Sequence, residues 1–586
     1  MLYKELAPPG RVADGVAVSD EEFARDRVGV INRLRADGHL DFGPAVLDPR
    51  HIGDIRGSLG TISMRDRAPR KTWWKRLVTL AAIVGPGIIV MTGDNDAGGV
   101  QTYTQAGQHY GTSMLWVLAA LFVVLFASQE MVTRLGAVTG VGHARLIRER
   151  FGRFWNLFSV GDLFALNFLT LLTEFIGVSF AMAYFGVPKW YSVPAAGVLL
   201  FTFAATGSFR RWERAMLLVV LGTMVVIPLF FLSDPRVGPI AHGTLIPGVQ
   251  GGVTGTAILL IVAVVGTTVA PWQLFFQQSN ILDKRITPRW LNYERADTFV
   301  GAILTTVFGG MMICLAAFAL NGTKHYGPAA TYTDSGWFNN AIHATLGNAA
   351  GSLAAAMLLV AAVLGAGAVS LSTSYAFADS FDQKHSLHRS IRKAPLFYVV
   401  YGGQILVASM VVLLGSSALL GTLTQWVQVL AGILLPSAIL FLVLLCNDKA
   451  ILGPWVNRTW QNVVDFTIIA VLVILSLILV ITTLFKSLSG VVVTESLFAA
   501  GGAAALFIVF PLLLRSRRQR VAAGGSPDRL ADVRHLDRNT WRMPPLEELP
   551  KPVASTQRKA GLLLLRGYLI ASVLLITVKV FGNLIH

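Results

Sequence analysis

Cysteine and charge are both scarce in this chain. Only two cysteines, Cys314 and Cys446, occur in 586 residues. Both lie in or at the end of apolar runs, where a thiol acts as a small hydrophobe, so neither a disulfide framework nor a cysteine metal cluster is expected. Charged residues make up 14% of the chain against 54% hydrophobic, too apolar for a soluble protein whose core stops growing at roughly 250–300 residues. The chain also lacks a His-Glu-x-x-His motif, a P-loop, a Ser/His/Asp grouping and paired histidine ligands, and its polar segments are short, which argues against a membrane enzyme. The short alternating segments of an outer-membrane barrel are missing. No apolar h-region occurs in the first 70 residues, so no cleavable signal is expected and the first membrane segment directs insertion.

What the chain does have is long apolar runs, and about 20 such residues cross roughly 30 Å of hydrocarbon. They fall near 79–106, 114–138, 157–185, 190–207, 212–233, 254–280, 297–320, 345–379, 396–415, 421–446, 465–485 and 492–515. With a cytoplasmic N-terminus, the inner loops carry seventeen Lys and Arg between Arg145 and Arg458, Lys284 among them, and the outer loops only Lys189, Arg236, Lys324 and Lys486. That positive-inside bias fixes the expected orientation and accounts for the net charge of +16 without nucleic acid. The expected organisation is a cytoplasmic extension 1–78, five-helix repeats at 79–233 and 254–446, accessory helices in 465–515, a polar cytoplasmic segment 516–560, and a stretch 561–583 that crosses or lies in the interface.

Two spans break the helical pattern. In the first, Gly85-Pro86-Gly87 is followed by Thr92-Gly93-Asp94-Asn95-Asp96-Ala97-Gly98-Gly99; in the sixth, Gly266-Thr267-Thr268-Val269-Ala270-Pro271-Trp272-Gln273 puts a proline in mid-span. Unwound backbone at membrane depth is tolerated only where it lines a cavity. Breaks five spans apart fit two inverted repeats around a shared site. An ionised carboxylate there costs roughly 2.5–3.5 kcal/mol on insertion scales, so Asp96 faces a cation or, alternatively, a partner within the bundle. Asp94 either points to the outer vestibule or caps the second half-helix. Pro271 lacks an N–H and frees the carbonyl of Thr267, which beside its hydroxyl suits a hard cation; an ordinary proline kink is the alternative.

These runs, with Gly111, Leu115-Trp116, Gln129, Arg134-Leu135-Gly136, Thr173-Glu174-Phe175-Ile176-Gly177, Gln428, Leu435-Pro436 and the stretch from Ile451 to Asn457, come in an order and spacing that resembles the Nramp divalent-metal transporters over about residues 79–465. The resemblance implies a polytopic all-α membrane protein with a leucine-transporter-like fold, and a metal-binding role for Asp96. It also shows departures. Gly99 stands where the family has an asparagine ligand, Ala270 where it has methionine, Trp272 where it has histidine, and Leu171 where it has a proton-path aspartate, while Glu174 remains. This pattern is similar to the Nramp-related magnesium transporters.

The chemistry of the departures agrees with that branch. A thioether favours soft transition metals, and oxygen ligands and water suit Mg²⁺ or Mn²⁺. Mg²⁺ keeps several waters, for which Gly99 and Ala270 leave room. Gln428, Gln273 and Gln101 could bind that water shell, with an interhelical hydrogen bond as the alternative for each. Glu130 is expected to pair with Arg134 as an i,i+4 couple. Restoring methionine at 270 and asparagine at 99 is expected to bring soft-metal binding back in part.

The expected function is alternating-access transport of a divalent cation, Mg²⁺ or also Mn²⁺, without proton coupling, across a cell membrane that the chain spans many times. Asp96, Thr267, Gly99, Ala270, Gln428, Gln273 and Trp272 form the expected metal site. The ion is substrate and no cofactor is expected; the partners are that ion and the bilayer, with no nucleic acid and no obligate protein. The alternatives are a proton-coupled Mn²⁺/Fe²⁺ transporter and a carrier of amino acids or small organic solutes on the same fold. Asp96 would repel a substrate carboxylate in the latter.

Overall fold

The computed structural model describes residues 49–66 and 68–484, with isolated positions between 495 and 567. The expected segments 492–515, 516–560 and 561–583 lie outside the described residues except at those positions. Among the described residues, nine helical stretches are long and apolar enough to cross a membrane, ten if one bent pair is counted.

The first expected span is in three pieces. Helix α1 (Trp73–Ile83) is capped by the Thr72 side chain on Lys75 N and exposes Trp73 and Trp74 beside Lys75 and Arg76, the mixture that sits at a headgroup level. A 53° bend separates it from α2 (Pro86–Thr92). The bend depends on Gly85, whose φ of 152° favours glycine and whose added Cβ would strike the Glu213 carboxylate. Residues 93–96 then interrupt the helix before α3 (Ala97–Tyr110).

The rest follows the apolar runs closely: α4 (Leu115–Thr139), the short α5 (His143–Phe151), α6 (Arg153–Tyr184), α7 (Lys189–Ala204), and a fifth span kinked into α8 (Phe209–Thr223) and α9 (Val226–Leu232). After α10 (Val237–Leu245), the sixth span is α11 (Gly255–Thr268) and α12 (Pro271–Lys284), parted by Val269 and Ala270 in non-helical backbone. Then come α13 (Leu291–Ala316), α14 (Ser335–Leu346), α15 (Asn348–Ser380), α16 (Pro395–Leu414), α17 (Ser417–Cys446) and α18 (Thr459–Leu484). Helices α5, α10 and α14 are short and sit in the connections between the apolar runs. The two broken spans lie among α4, α6, α13, α15 and α17, the arrangement of a leucine-transporter-like fold.

Part of the stretch expected as a polar extension is packed onto the bundle. Strands β1 (Ile55–Arg56) and β2 (Thr61–Ile62) pair antiparallel. Ile55 and Ile62 point inward against Ala82, Ile83, Ile281 and Trp290. His51 Nε2 lies 3.0 Å from Asp283 Oδ1, Arg285 donates to the Arg50 and Asp54 carbonyls, and Ser58 N donates to Glu213 at 2.6 Å. On the same seam the His388 imidazole, pushed down to about 4 by burial, meets the Asp283 carbonyl at 3.0 Å.

One expectation about charge is corrected. Lys284, expected in an inner loop, closes α12 with 0% exposure and meets Glu213 Oε1 at 2.5 Å. A hydropathy window cannot find such a lysine, because its partner is 71 residues away. Glu130 pairs with Arg134 at 3.3 Å as expected, and also with Arg295 at 2.6 Å.

Candidate metal-ion site

The two breaks meet. Asp96 is the N-cap of α3, with extended backbone and its Oδ1 accepting from Gly99 N at 2.6 Å. The cap role left open for Asp94 therefore belongs to Asp96. Asp94 is fully buried, and neither of its carboxylate oxygens has a hydrogen-bond partner among the described residues. From the other break, Thr267 brings a buried hydroxyl without a partner. Its carbonyl lies one turn before Pro271 and so cannot receive the usual helical N–H.

Gly98 and Gly99 let these groups converge. A Cβ on Gly99 would stand 2.7 Å from the Asp94 carbonyl oxygen, 3.1 Å from Thr267 Oγ1 and 3.4 Å from Asp96 Oδ1. A Cβ on Gly98 would overlap the Gln428 amide nitrogen, which is buried and has no partner. So Asp96, Thr267, the Asp94 carbonyl and Gln428 surround one short stretch of backbone. Gly98→Ala should push the flexible Gln428 amide aside with little loss of fold. Its expected effect is divalent-cation binding about tenfold weaker by calorimetry, roughly 1.4 kcal/mol.

The remaining expected residues sit around this centre. Ala270 is 6% exposed and is the N-cap of α12, in extended backbone. Gln273 accepts from Gln129 Nε2 at 3.0 Å, leaving its own amide nitrogen without a partner. Trp272 is fully buried, has an unpartnered indole N–H, and would touch a Cβ on Gly93 at 3.1 Å. Gln101 faces elsewhere: it donates to the Gly421 carbonyl at 3.2 Å and accepts from Ser335.

In sequence, Glu174 is only what remains of a proton path. In the fold it stands at the centre. Glu174 Oε2 accepts from Ala97 N at 3.1 Å, and it packs beside Asp96 against Gly365, where an added Cβ would meet Glu174 Oε2 at 2.7 Å and Asp96 Cβ at 2.8 Å. Two carboxyl groups in such contact need a proton between them or a cation beside them. No group of three His, Cys, Asp or Glu side chains is placed to hold a metal ion among the described residues. A cation here would rely on hydroxyl, carbonyl and water oxygens beyond the carboxylates.

Two broken helices meeting at a buried carboxylate define a membrane transporter of the leucine-transporter-like class. The family model described as "Natural resistance-associated macrophage protein-like" matches residues 87–482, and the chain belongs to this Nramp family. It is similar to the divalent metal cation transporter MntH of Staphylococcus aureus strains JH9 and Newman. Each is 26% identical over 434 residues, covering 69% of this chain and 91% of the relative. Its fold is that of the Eremococcus coleocola manganese transporter crystallised with an aromatic bis-isothiourea compound. The TM-score is 0.58 at 19% identity, over 77% of this chain and 97% of the other.

Proposed function

We propose that this protein carries divalent metal cations across a cell membrane by alternating access, that Mg²⁺ is the main substrate with Mn²⁺ as companion, and that its N-terminus is cytoplasmic. One observation carries the reading: Asp96, Thr267, the Asp94 carbonyl and Gln428 converge on a break whose facing residues, Gly99 and Ala270, offer neither amide nor thioether. An oxygen-rich site with room for water suits an ion that dehydrates reluctantly. The family membership and the metal-transporting relatives support the class of substrate. Saturable uptake of Mg²⁺ into liposomes containing the purified chain tests it, and uptake of amino acids without metal uptake would overturn it.

A second reading, proton-coupled transport of Mn²⁺ or Fe²⁺, is favoured by the packing of Glu174 and Asp96 together against Gly365, a pair able to exchange a proton for a cation. The first reading counts Trp272 and Leu171, neither of which titrates, as gaps in a relay. With a pH dye inside the liposomes, the expected result is Mg²⁺ entry with little or no acidification. Acidification strictly tied to each added ion establishes the second reading instead.

A further inference from the structure

A second polar cluster lies away from Asp96, where α8, α12 and α13 meet the hairpin. Glu213, Lys284, Glu294 and Asp297 are all buried to within 1%. Glu213 is satisfied: one oxygen takes Lys284 Nζ at 2.5 Å and the other takes Ser58 N at 2.6 Å. Lys284 also donates to the Val84 carbonyl at 2.8 Å. Asp297 spends only Oδ2, on Gly85 N and Gly87 N at 3.1 and 2.7 Å, and so holds the start of α2.

Three oxygens are left over. Asp297 Oδ1, Glu294 Oε2 and Gln277 Oε1 are buried with no hydrogen-bond partner among the described residues. Gln277 lies over Glu294, its amide nitrogen 3.4 Å from Glu294 Oε1 and 3.4 Å from Thr133 Oγ1. Among the described residues, three carboxyl groups stand beside one ammonium, so two of them must either hold a proton or face a cation. Carboxylate and amide oxygens are the ligands of a hard divalent cation.

The cluster is joined to the break. Gln273, Gln277, Asn280 and Lys284 recur along α12 at the spacing of one helical face. Gln273 Nε2 and both ends of the Asn280 amide are buried without partners. From Ala270 to Gln277 this polar track advances about 10 Å.

We propose that Glu294 and Asp297, with the side-chain carbonyl of Gln277, form a second station for the divalent cation, between the Asp96 site and the hairpin end of the bundle. Lys284 tempers it: a fixed positive charge beside Glu213 keeps the acidic cluster from holding an ion too tightly to release, as conduction requires. The inference rests on the reading that such an ion binds at Asp96, and the experiment separates the two.

The test counts Mn²⁺ bound to the full chain in lipid nanodiscs by electron paramagnetic resonance at saturation. Two ions are expected for the unmodified protein, one for Glu294→Gln, one for Asp96→Asn and none for the double variant. Gln277→Leu removes a neutral ligand of similar volume and should weaken the second ion about tenfold; it decides the matter if Glu294→Gln does not fold. Unchanged binding of both ions in Glu294→Gln and Gln277→Leu overturns the second station. So does a single ion lost only with Asp96→Asn, which leaves the proposed function standing. A single ion lost only with Glu294→Gln keeps the second station and removes Asp96 as a ligand. No bound Mn²⁺ in the unmodified protein overturns the second station and removes Mn²⁺ from the proposed substrates, while Mg²⁺ uptake still decides the proposed function.

Discussion

Asp96→Asn should abolish saturable divalent-cation uptake while leaving the fold intact. Asp96 is 2% exposed and lies at the meeting point of the two breaks, where little water screens its charge. Two unit charges about 4 Å apart at an effective dielectric of ~20 interact by ~4 kcal/mol, and a divalent ion doubles that. Even after the ion recovers part of the loss from water, affinity should fall at least about a thousandfold, roughly 4 kcal/mol. The fold should survive because asparagine caps a helix as well as aspartate does, and the capping bond to Gly99 N is what Asp96 contributes to local structure. Uptake into liposomes and thermal unfolding of the same preparation check both halves. A variant that folds and transports like the unmodified protein removes Asp96 from the centre of the mechanism.

Both breaks were legible in the sequence because they are local events: Gly85-Pro86, the run of carboxylates and glycines, and Pro271 each disturb a helix within a few residues of themselves. The helix spans were legible for the same reason, each being a run of apolar residues long enough to cross. What the sequence concealed depends on contacts between distant residues. Glu174 is 77 residues from the Ala97 N–H it accepts from, and nothing in its own surroundings says that it meets Asp96. Lys284 looked like a loop charge because only the partner Glu213, from another span, shows it to be buried. Gln101 and Gln273 looked alike, two glutamines in broken spans. Packing alone separates them, since Gln101 is spent on Gly421 and Ser335 while Gln273 keeps a free amide nitrogen. The hairpin at 55–62 was hidden because two-residue strands carry almost no pattern of their own.

Ala270→Met alone should create soft-metal binding, and adding Gly99→Asn should not improve it. Ala270 sits at the N-cap of α12 with φ −87° and ψ 144°, extended backbone that any side chain adopts, and beside it Thr267 and Asp96 already supply oxygens. A thioether there adds the one ligand type the site lacks for Cd²⁺. Gly99 offers no such freedom. Its Cβ would stand 2.7 Å from the Asp94 carbonyl oxygen, a backbone atom that can give way only by moving the break itself, and Asp94 lies in that break. Asparagine at 99 should therefore disturb the ligands it is meant to complete. Calorimetry of the two variants and the unmodified protein with Cd²⁺ and Mg²⁺ checks this. Cd²⁺ affinity should rise at least about tenfold in Ala270→Met, a gain of roughly 1.4 kcal/mol, and Mg²⁺ affinity should fall because the thioether fills space that its waters need. Ca²⁺ should remain disfavoured throughout, since it seeks six to eight oxygens at longer distances. Tight Cd²⁺ binding by the unmodified protein, undisturbed by a large excess of Mg²⁺, would show that the missing thioether does not set the selectivity, and the magnesium reading would fall with it.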